Sequence, residues 1–213
     1  MEIILRRPLP EGLTIIETMR QEADGSIPLW PLHRARLRRD CRAVGFPLDE
    51  AEAERIALAR RPETGVLRVR LTVDGAGQIA TTHAPLPPNP PGWRVVRSEI
   101  RLDSADPWLG IKSSQRPAYD AARASLPEGV DEAILLNERG EICEGTITNL
   151  FLRRAGLLLT PPLACGLLPG VLRQSLLDQG AAREAVLHPA DLYQGDLFMG
   201  NALRGLIPAR LVG

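Results

Sequence analysis

The stretch GIKSSQRPAYD, residues Gly110 to Asp120, holds Lys112, the single lysine of a chain that carries 25 arginines. Wherever positive charge alone is wanted, this sequence uses arginine. Position 112 keeps an amine. An amine can lose its proton and attack a carbonyl, whereas a guanidinium, with a pKa above ~12, cannot. The alternative is an ordinary surface lysine, and the surrounding sequence decides between the two.

Working outward from that stretch, the chain before it reads as a small α/β unit and the chain after it as a larger one. Leu13 to Met19 form a strand, Asp24-Gly25 a turn, and Ile27 to Trp30 a returning strand. Pro31 suits the first turn of a helix that runs to Val44 and stops at Gly45. Asp49 caps a second helix over Glu50 to Arg61. Leu67, Val69, Leu71 and Val73 alternate with Arg68, Arg70 and Thr72, a half-buried strand that turns at Asp74-Gly75 toward Ile79 and Thr81. Prolines at 85, 87, 88, 90 and 91 then break the pattern. These features divide the sequence into a small domain at 1–86, a stiff linker at 87–92 and a larger domain at 93–213 that carries Lys112. The larger part offers a strand at Trp93–Leu102 and a helix at Pro117–Ser125. Strands follow at Ala133–Leu136, Ile142–Glu144, Leu150–Leu152 and Leu157–Thr160. A helix opens at Pro169-Gly170 and runs to Gln179, and a strand at Leu197–Met199 leads to Asn201.

Composition narrows the function. Lys+Arg and Asp+Glu are 26 each, so no net field favours nucleic acid or an anionic membrane. Cys41, Cys143 and Cys165 are widely spaced and odd in number, which fits a reducing cytoplasm better than disulfides or a zinc site. Three histidines leave little material for a metal centre. No apolar run reaches the ~20 residues of a membrane span.

A lone lysine suits Schiff-base chemistry, which usually belongs to pyridoxal phosphate. That cofactor also needs a phosphate cradle and an acid beside its pyridine nitrogen. Glu144, at the end of a strand in EGTITNLF (144–151), is the candidate acid. Leu168-Pro169-Gly170-Val171 leads into a helix whose first N–H groups can bind phosphate. Arg36 can add a charged fork, its alternative being a pair with Asp40 four residues on.

The set resembles the class IV, fold type IV, family of pyridoxal-phosphate enzymes. This family includes branched-chain and D-amino-acid aminotransferases and 4-amino-4-deoxychorismate lyase. Glu17-Thr18-Met19-Arg20 is similar to its E-T-x-R strand, and His33-Arg34-Ala35-Arg36-Leu37 to its H-x-x-R-L, whose arginine contacts the cofactor phosphate. Glu144-Gly145 with Asn149-Leu150-Phe151 matches E-G-x-x-x-N-L-F. Thr160 to Leu163, Gly166 to Val171 and Arg173 match T-P-P-L…G-x-L-P-G-x-x-R. Lys112 to Asp120 is similar to the K-[TS]-[TS]-x-R-x-x-Y-[DE] of the lyase domains of fused para-aminobenzoate synthases. Asp131 to Glu141 and Asn201-Ala202-Leu203-Arg204-Gly205 agree with the same lyases.

The resemblance implies a two-domain α/β (α+β) fold, D-amino-acid aminotransferase-like, with a shortened N-terminal segment. It implies a pyridoxal-phosphate lyase that makes 4-aminobenzoate and pyruvate toward folate. The alternatives are a class IV aminotransferase or a cofactor-binding homologue without turnover. Lys112 is then catalytic. The cofactor lies between domains among Arg36, Lys112, Glu144, Asn149, Leu168, Gly170, Val171, Leu172, Asn201 and Ala202. Branched-chain aminotransferases place Thr hydroxyls where Leu172 and Ala202 stand, so here the phosphate rests on backbone N–H groups and Arg36. Arg20 and Arg204 are candidates for the substrate carboxylates, and Tyr119 for a place along the cofactor. A cytoplasmic homodimer acting on a small molecule, without metal, completes the expectation.

Overall fold

In β1 (Ile15–Gln21) the inward positions are Ile15, Glu17, Met19 and Gln21, all fully buried, two of them polar. It pairs antiparallel with β2 (Leu67–Val73), whose Leu67, Val69, Leu71 and Val73 point the same way, and β2 pairs with β3 (Ile79–Pro85). The order is β1-β2-β3. This computed structural model describes residues 8–60 and 65–212. The chain divides into two units, Met1–Pro88 with Ile111–Gln115, and Asn89–Gly110 with Arg116–Gly213.

In the first unit, α1 (Trp30–Val44) buries His33, Arg36, Leu37, Asp40, Cys41 and Val44, a stripe at helical spacing. Pro31 sits in its first turn, and Gly45, in the left-handed region at φ 73°, ends it. Asp49 caps α2 (Glu50–Ala57) by accepting from the Glu52 N–H at 3.0 Å. This helix was expected to reach Arg61, which lies outside the described residues, but it already ends at Ala57, with Leu58 as its C-cap. The expected strand at Ile27–Trp30 does not form. The turn closes through Glu22 N–H to Ser26 O, but Pro28 has no N–H for a ladder, and Trp30 N–H bonds Ile27 O to enter α1. β1 takes β2 as its partner instead.

The outer edge of β1 is covered by the lysine stretch. Ile16 N–H donates to Lys112 O at 2.8 Å, Ser114 N–H to Thr14 O at 2.9 Å, and Ile15 bridges Ser113. Ile111–Gln115 therefore groups with the first unit, although the sequence reading assigned it to 93–213. Spacing from the Pro-rich linker cannot reveal an edge pairing this distant in sequence.

The second unit is built from β4 (Trp93–Leu102), α3 (Pro117–Ala124), β5 (Glu132–Asn137), β6 (Ile142–Gly145), β7 (Asn149–Arg154), β8 (Leu157–Thr160), α4 (Val171–Asp178), β9 (Ala182–Glu184), β10 (Asp196–Asn201) and β11 (Gly205–Leu211). The order is β10-β11-β4-β5-β6-β7-β8-β9, and β10 also pairs with β7, which closes six strands into a barrel-like ring. β5 is buried on both faces. Ile134 and Leu136 join Trp93, Leu150 and Met199 in one cluster, while Leu135 and Cys143 meet Ala122 of α3 in another. Phe151 and Phe198 meet Leu172 and Leu176 of α4. β9 and β11 were not expected. β9 has three residues, two of them exposed, and β11 contains Pro208. The parallel ladder from β11 to β4 spans Ala209–Leu211, beyond the proline, so no N–H is missed there.

Glu132 is fully buried at the start of β5. Its carboxylate accepts from the N–H of Thr146 (3.0 Å) and of Ile147 (3.1 Å), and from the hydroxyls of Thr146 and Thr148 (2.5 and 3.0 Å). Arg123, half exposed, stands 3.6 Å away. Glu132 thus replaces the water that the β6–β7 turn would otherwise need. In Glu132→Gln one acceptor becomes a donor facing N–H groups that cannot turn away. Urea unfolding should show a loss of about 3 kcal/mol. Arg123→Ala, at an exposed partner, should lose less than about 1 kcal/mol.

Glu17 faces inward on β1 and accepts from Arg36 Nε and Nη2 at 2.8 and 2.6 Å, with His33 Nδ1 2.6 Å away. Burial pushes its carboxyl up, but Arg36 and His33 outweigh burial and hold it at about 2, below the ordinary 4.5. The folded pKa is the lower one, so the contribution to stability is complete above about pH 4.5 and is lost as pH falls through about 2. Unfolding free energy measured from about pH 6 to about pH 2.5 should fall on the order of 3 kcal/mol more in the wild type than in Glu17→Gln.

Candidate active site

β6 and β7 place Glu144 opposite Asn149 across the turn that Glu132 supports. Glu144 is buried, 3% exposed, and its carboxylate is held from three elements. Oε1 accepts from the Tyr119 hydroxyl of α3 at 2.6 Å and from Leu168 N–H at 2.9 Å, and Oε2 accepts from Asn149 Nδ2 at 3.0 Å. The same Asn149 amide donates to Leu168 O at 3.0 Å, tying the Leu168-Pro169-Gly170 loop to β7. Burial, then the Glu144 charge, push the Tyr119 hydroxyl far above its ordinary pKa, so it stays a donor. Tyr119, expected along a cofactor, spends its hydroxyl on Glu144.

Gly170 approaches Asn149 so closely that a Cβ there would stand 1.8 Å from the Asn149 Oδ1. It is the N-cap of α4, whose first turn has no side-chain cap and no acidic residue. The N–H groups of Val171 and Leu172 therefore open an electropositive helix end. Leu172 lies under Gly200, and a Cβ at Gly200 would meet its Cδ2 at 3.0 Å. Beyond β10, Asn201 Oδ1 accepts from the N–H of Leu203 (3.1 Å) and of Arg204 (2.9 Å), which folds the turn that holds Ala202. Asn201 Nδ2 reaches Ile147 O at 3.2 Å, so this turn and the β6–β7 turn are joined. Arg204 exchanges hydrogen bonds with Asn89 at 3.0 and 2.7 Å.

In the first unit, Arg36 grips Glu17, and Lys112 is held by its backbone, N–H to Asp40 Oδ2 at 2.9 Å and C=O from Ile16. Arg20 is engaged with Glu22, Nε to Oε1 at 2.6 Å. Of the residues singled out from sequence, Glu144, Asn149, Leu168, Gly170 and Tyr119 form one cluster, and Asn201 joins it through Ile147. Reasoning from sequence gave Glu17, Arg116 and Glu132 no role of their own and took Asp40 only as an alternative partner for Arg36. Glu17 and Asp40 had a readable signal, each being a charge in an otherwise inward-facing position. Arg116, whose Nη2 donates to Thr146 O at 2.8 Å, had none.

Within the second unit, an uncapped helix end and a buried carboxylate suit a phosphorylated cofactor with a basic ring nitrogen; Lys112, the single lysine, belongs to the first unit. No group of His, Cys, Asp and Glu among the described residues could hold a metal ion, and no described helix is long and apolar enough to cross a membrane.

Comparison with known proteins agrees. An aminodeoxychorismate lyase of Schizosaccharomyces pombe, provisionally named, is 26% identical over 168 residues, 76% of this chain and 72% of that protein. A crystal structure from Mesorhizobium loti, provisionally named an amino-acid aminotransferase, is 42% identical with a TM-score of 0.88, covering 94% of this chain and all of the other. The crystal structure of 4-amino-4-deoxychorismate lyase from Pseudomonas aeruginosa is 25% identical with a TM-score of 0.77, covering 97% of this chain and 88% of the other. Residues 14–212 match amino-transferase class IV, and the chain belongs to that family of pyridoxal-phosphate enzymes, with its type IV α+β fold.

Proposed function

We propose that this enzyme is a 4-amino-4-deoxychorismate lyase, giving 4-aminobenzoate and pyruvate, and that it works as a cytoplasmic homodimer. The observation that carries the reading is the hydrogen bond from Tyr119 to Glu144. It joins the Lys112–Asp120 stretch, where the likeness to the lyases is concentrated, to the carboxylate proposed for the ring nitrogen. The similarity to the S. pombe and P. aeruginosa proteins supports it.

When bound, pyridoxal phosphate supplies an electron sink for the carbon that carries the substrate amine. In this reading Lys112 would hold the cofactor covalently through its amine, and that amine, once free, would serve as the acid–base group. Its freed amine then takes the proton from C4 of the substrate ring. Enolpyruvate leaves, Lys112 returns the proton to it, and the ring becomes aromatic, which makes the step effectively one-way. Glu144 would stand at the ring nitrogen and favour its protonated form, and Tyr119, Asn149 and Leu168 N–H keep the Glu144 carboxylate aimed. The Val171 and Leu172 N–H groups and Arg36 would hold the phosphate, and Asn201 and Ala202 would complete the cofactor site. Arg20 and Arg204 are the proposed partners of the substrate carboxylates.

A second reading, a class IV aminotransferase, draws on the likeness to the M. loti protein. Product analysis separates the two. Purified protein given aminodeoxychorismate, made in situ from chorismate, should release 4-aminobenzoate and pyruvate in equal amounts with no 2-oxo acid added. Rapid bleaching of the visible cofactor band by D-alanine, L-glutamate or a branched-chain amino acid, restored by a 2-oxo acid, would assign the chain to the aminotransferases. Cofactor uptake without either turnover would leave a binding homologue. Glu144→Gln should keep the cofactor while kcat falls at least about 100-fold, because an amide cannot hold the ring nitrogen protonated.

A further inference from the structure

We propose that Asp40 is a positioning residue for Lys112, holding from α1 the peptide out of which the lysine side chain springs. The proposal rests on reading Lys112 as the cofactor-binding lysine. Asp40 is 1% exposed and stands in the buried stripe of α1 with Leu37, Cys41 and Val44. Its Oδ2 accepts the Lys112 N–H at 2.9 Å. Its Oδ1 accepts from Arg39, a side chain 45% exposed, with Nε at 2.8 Å and Nη2 at 2.6 Å. The other polar group of the same residue, Lys112 O, accepts from Ile16 of β1. Both polar backbone groups of residue 112 are thus fixed, one from the helix and one from the strand.

Packing alone does not ask for a carboxylate there. A buried charge is costly, and an apolar side chain would complete the stripe better. Nor does Arg39 require it, since a half-exposed arginine could meet an aspartate at the surface. What the buried position adds is reach to the Lys112 peptide. Arg36, four residues earlier on α1, grips Glu17, the neighbour of Ile16 on β1. One helix and one strand therefore set the origin of the amine and the place of the arginine together. An amine at the end of four methylenes acts reproducibly only if its backbone origin is fixed to a fraction of an ångström.

The single lysine makes this measurable. Protein labelled with ¹⁵N-lysine shows one backbone amide signal, that of Lys112, whose hydrogen exchange reports the bond to Asp40. The rate at which added pyridoxal phosphate attaches to Lys112, followed by visible absorbance and borohydride trapping, reports positioning. Asp40→Ala should speed amide exchange and slow attachment, each at least about tenfold, with the circular dichroism of the fold retained. Asp40→Asn keeps an acceptor oxygen and should stay within about threefold of wild type in both. An Asp40→Ala protein with wild-type attachment would overturn the proposal, whether or not its amide had lost protection. Should Asp40→Ala not fold, Asp40→Asn decides: wild-type protection and attachment support the proposal, and loss of either overturns it. A wild-type protein that takes up no cofactor would overturn the reading of Lys112 and the proposal with it.

Discussion

The carboxylate of Glu144 constrains the second unit more than any other group. An acid that is 3% exposed has exchanged water for protein donors, and each must come from a fixed place. The hydroxyl of Tyr119 requires α3 to lie where it does, Asn149 requires β7 in register with β6, and Leu168 N–H requires the loop before α4 to return beneath them. Asn149 then binds Leu168 O as well, which leaves Gly170 no room for a side chain. The same contacts set where α4 begins, with Gly170 as its cap. A single charge requirement thus orders a strand pair, a helix and a loop.

The first unit repeats the principle with the opposite sign on view. Glu17 is buried so that Arg36 can be, and His33 completes the carboxylate's shell. A guanidinium with two of its nitrogens fixed has one orientation, which suits an anion site better than a mobile surface arginine does. Asp40 and Ile16 fix the neighbouring lysine peptide by the same means. Glu132 does so again in the second unit, where no cofactor role is proposed for it. Buried acids in this protein serve as templates for backbone and basic groups, and their donors are mostly N–H groups and hydroxyls of named turns.

Much of this was legible in the residues. Alternation at Leu67–Val73 marks β2 because one face is buried and the other carries arginines. Pro31 and Gly45 bracket α1 through their own backbone preferences. Glu144, Asn149 and Gly170 stand out because they are polar or small where a strand ends or a strand or helix begins. What could not be read depends on partners far along the chain. The Ile27–Trp30 strand failed because alternation cannot weigh the N–H that Pro28 lacks against a helix about to start. β11 was hidden by Pro208, harmless only because the ladder to β4 begins after it. Lys112 stood out as the single lysine, yet its place on the edge of β1 follows from two hydrogen bonds and a bridge across nearly a hundred residues, and spacing carries no trace of these.

The division of labour between arginine and lysine is the last step of the argument. Arginine here occupies surfaces, exposed pairs such as Arg55 with Glu52, and buried pairs such as Arg36 with Glu17 and Arg173 with Pro161 O and Glu184. In all of them a permanent charge with a rigid fork is an advantage or at least harmless. A chain that can satisfy so many environments with arginine does not need lysine for charge, for reach or for hydrogen-bond donors. What lysine offers that arginine does not is an amine that can give up its proton and form a covalent bond. Position 112 keeps that capacity, and the fold holds its peptide by both polar groups. A lysine that merely decorated the surface would not need its peptide held from a helix and a strand at once.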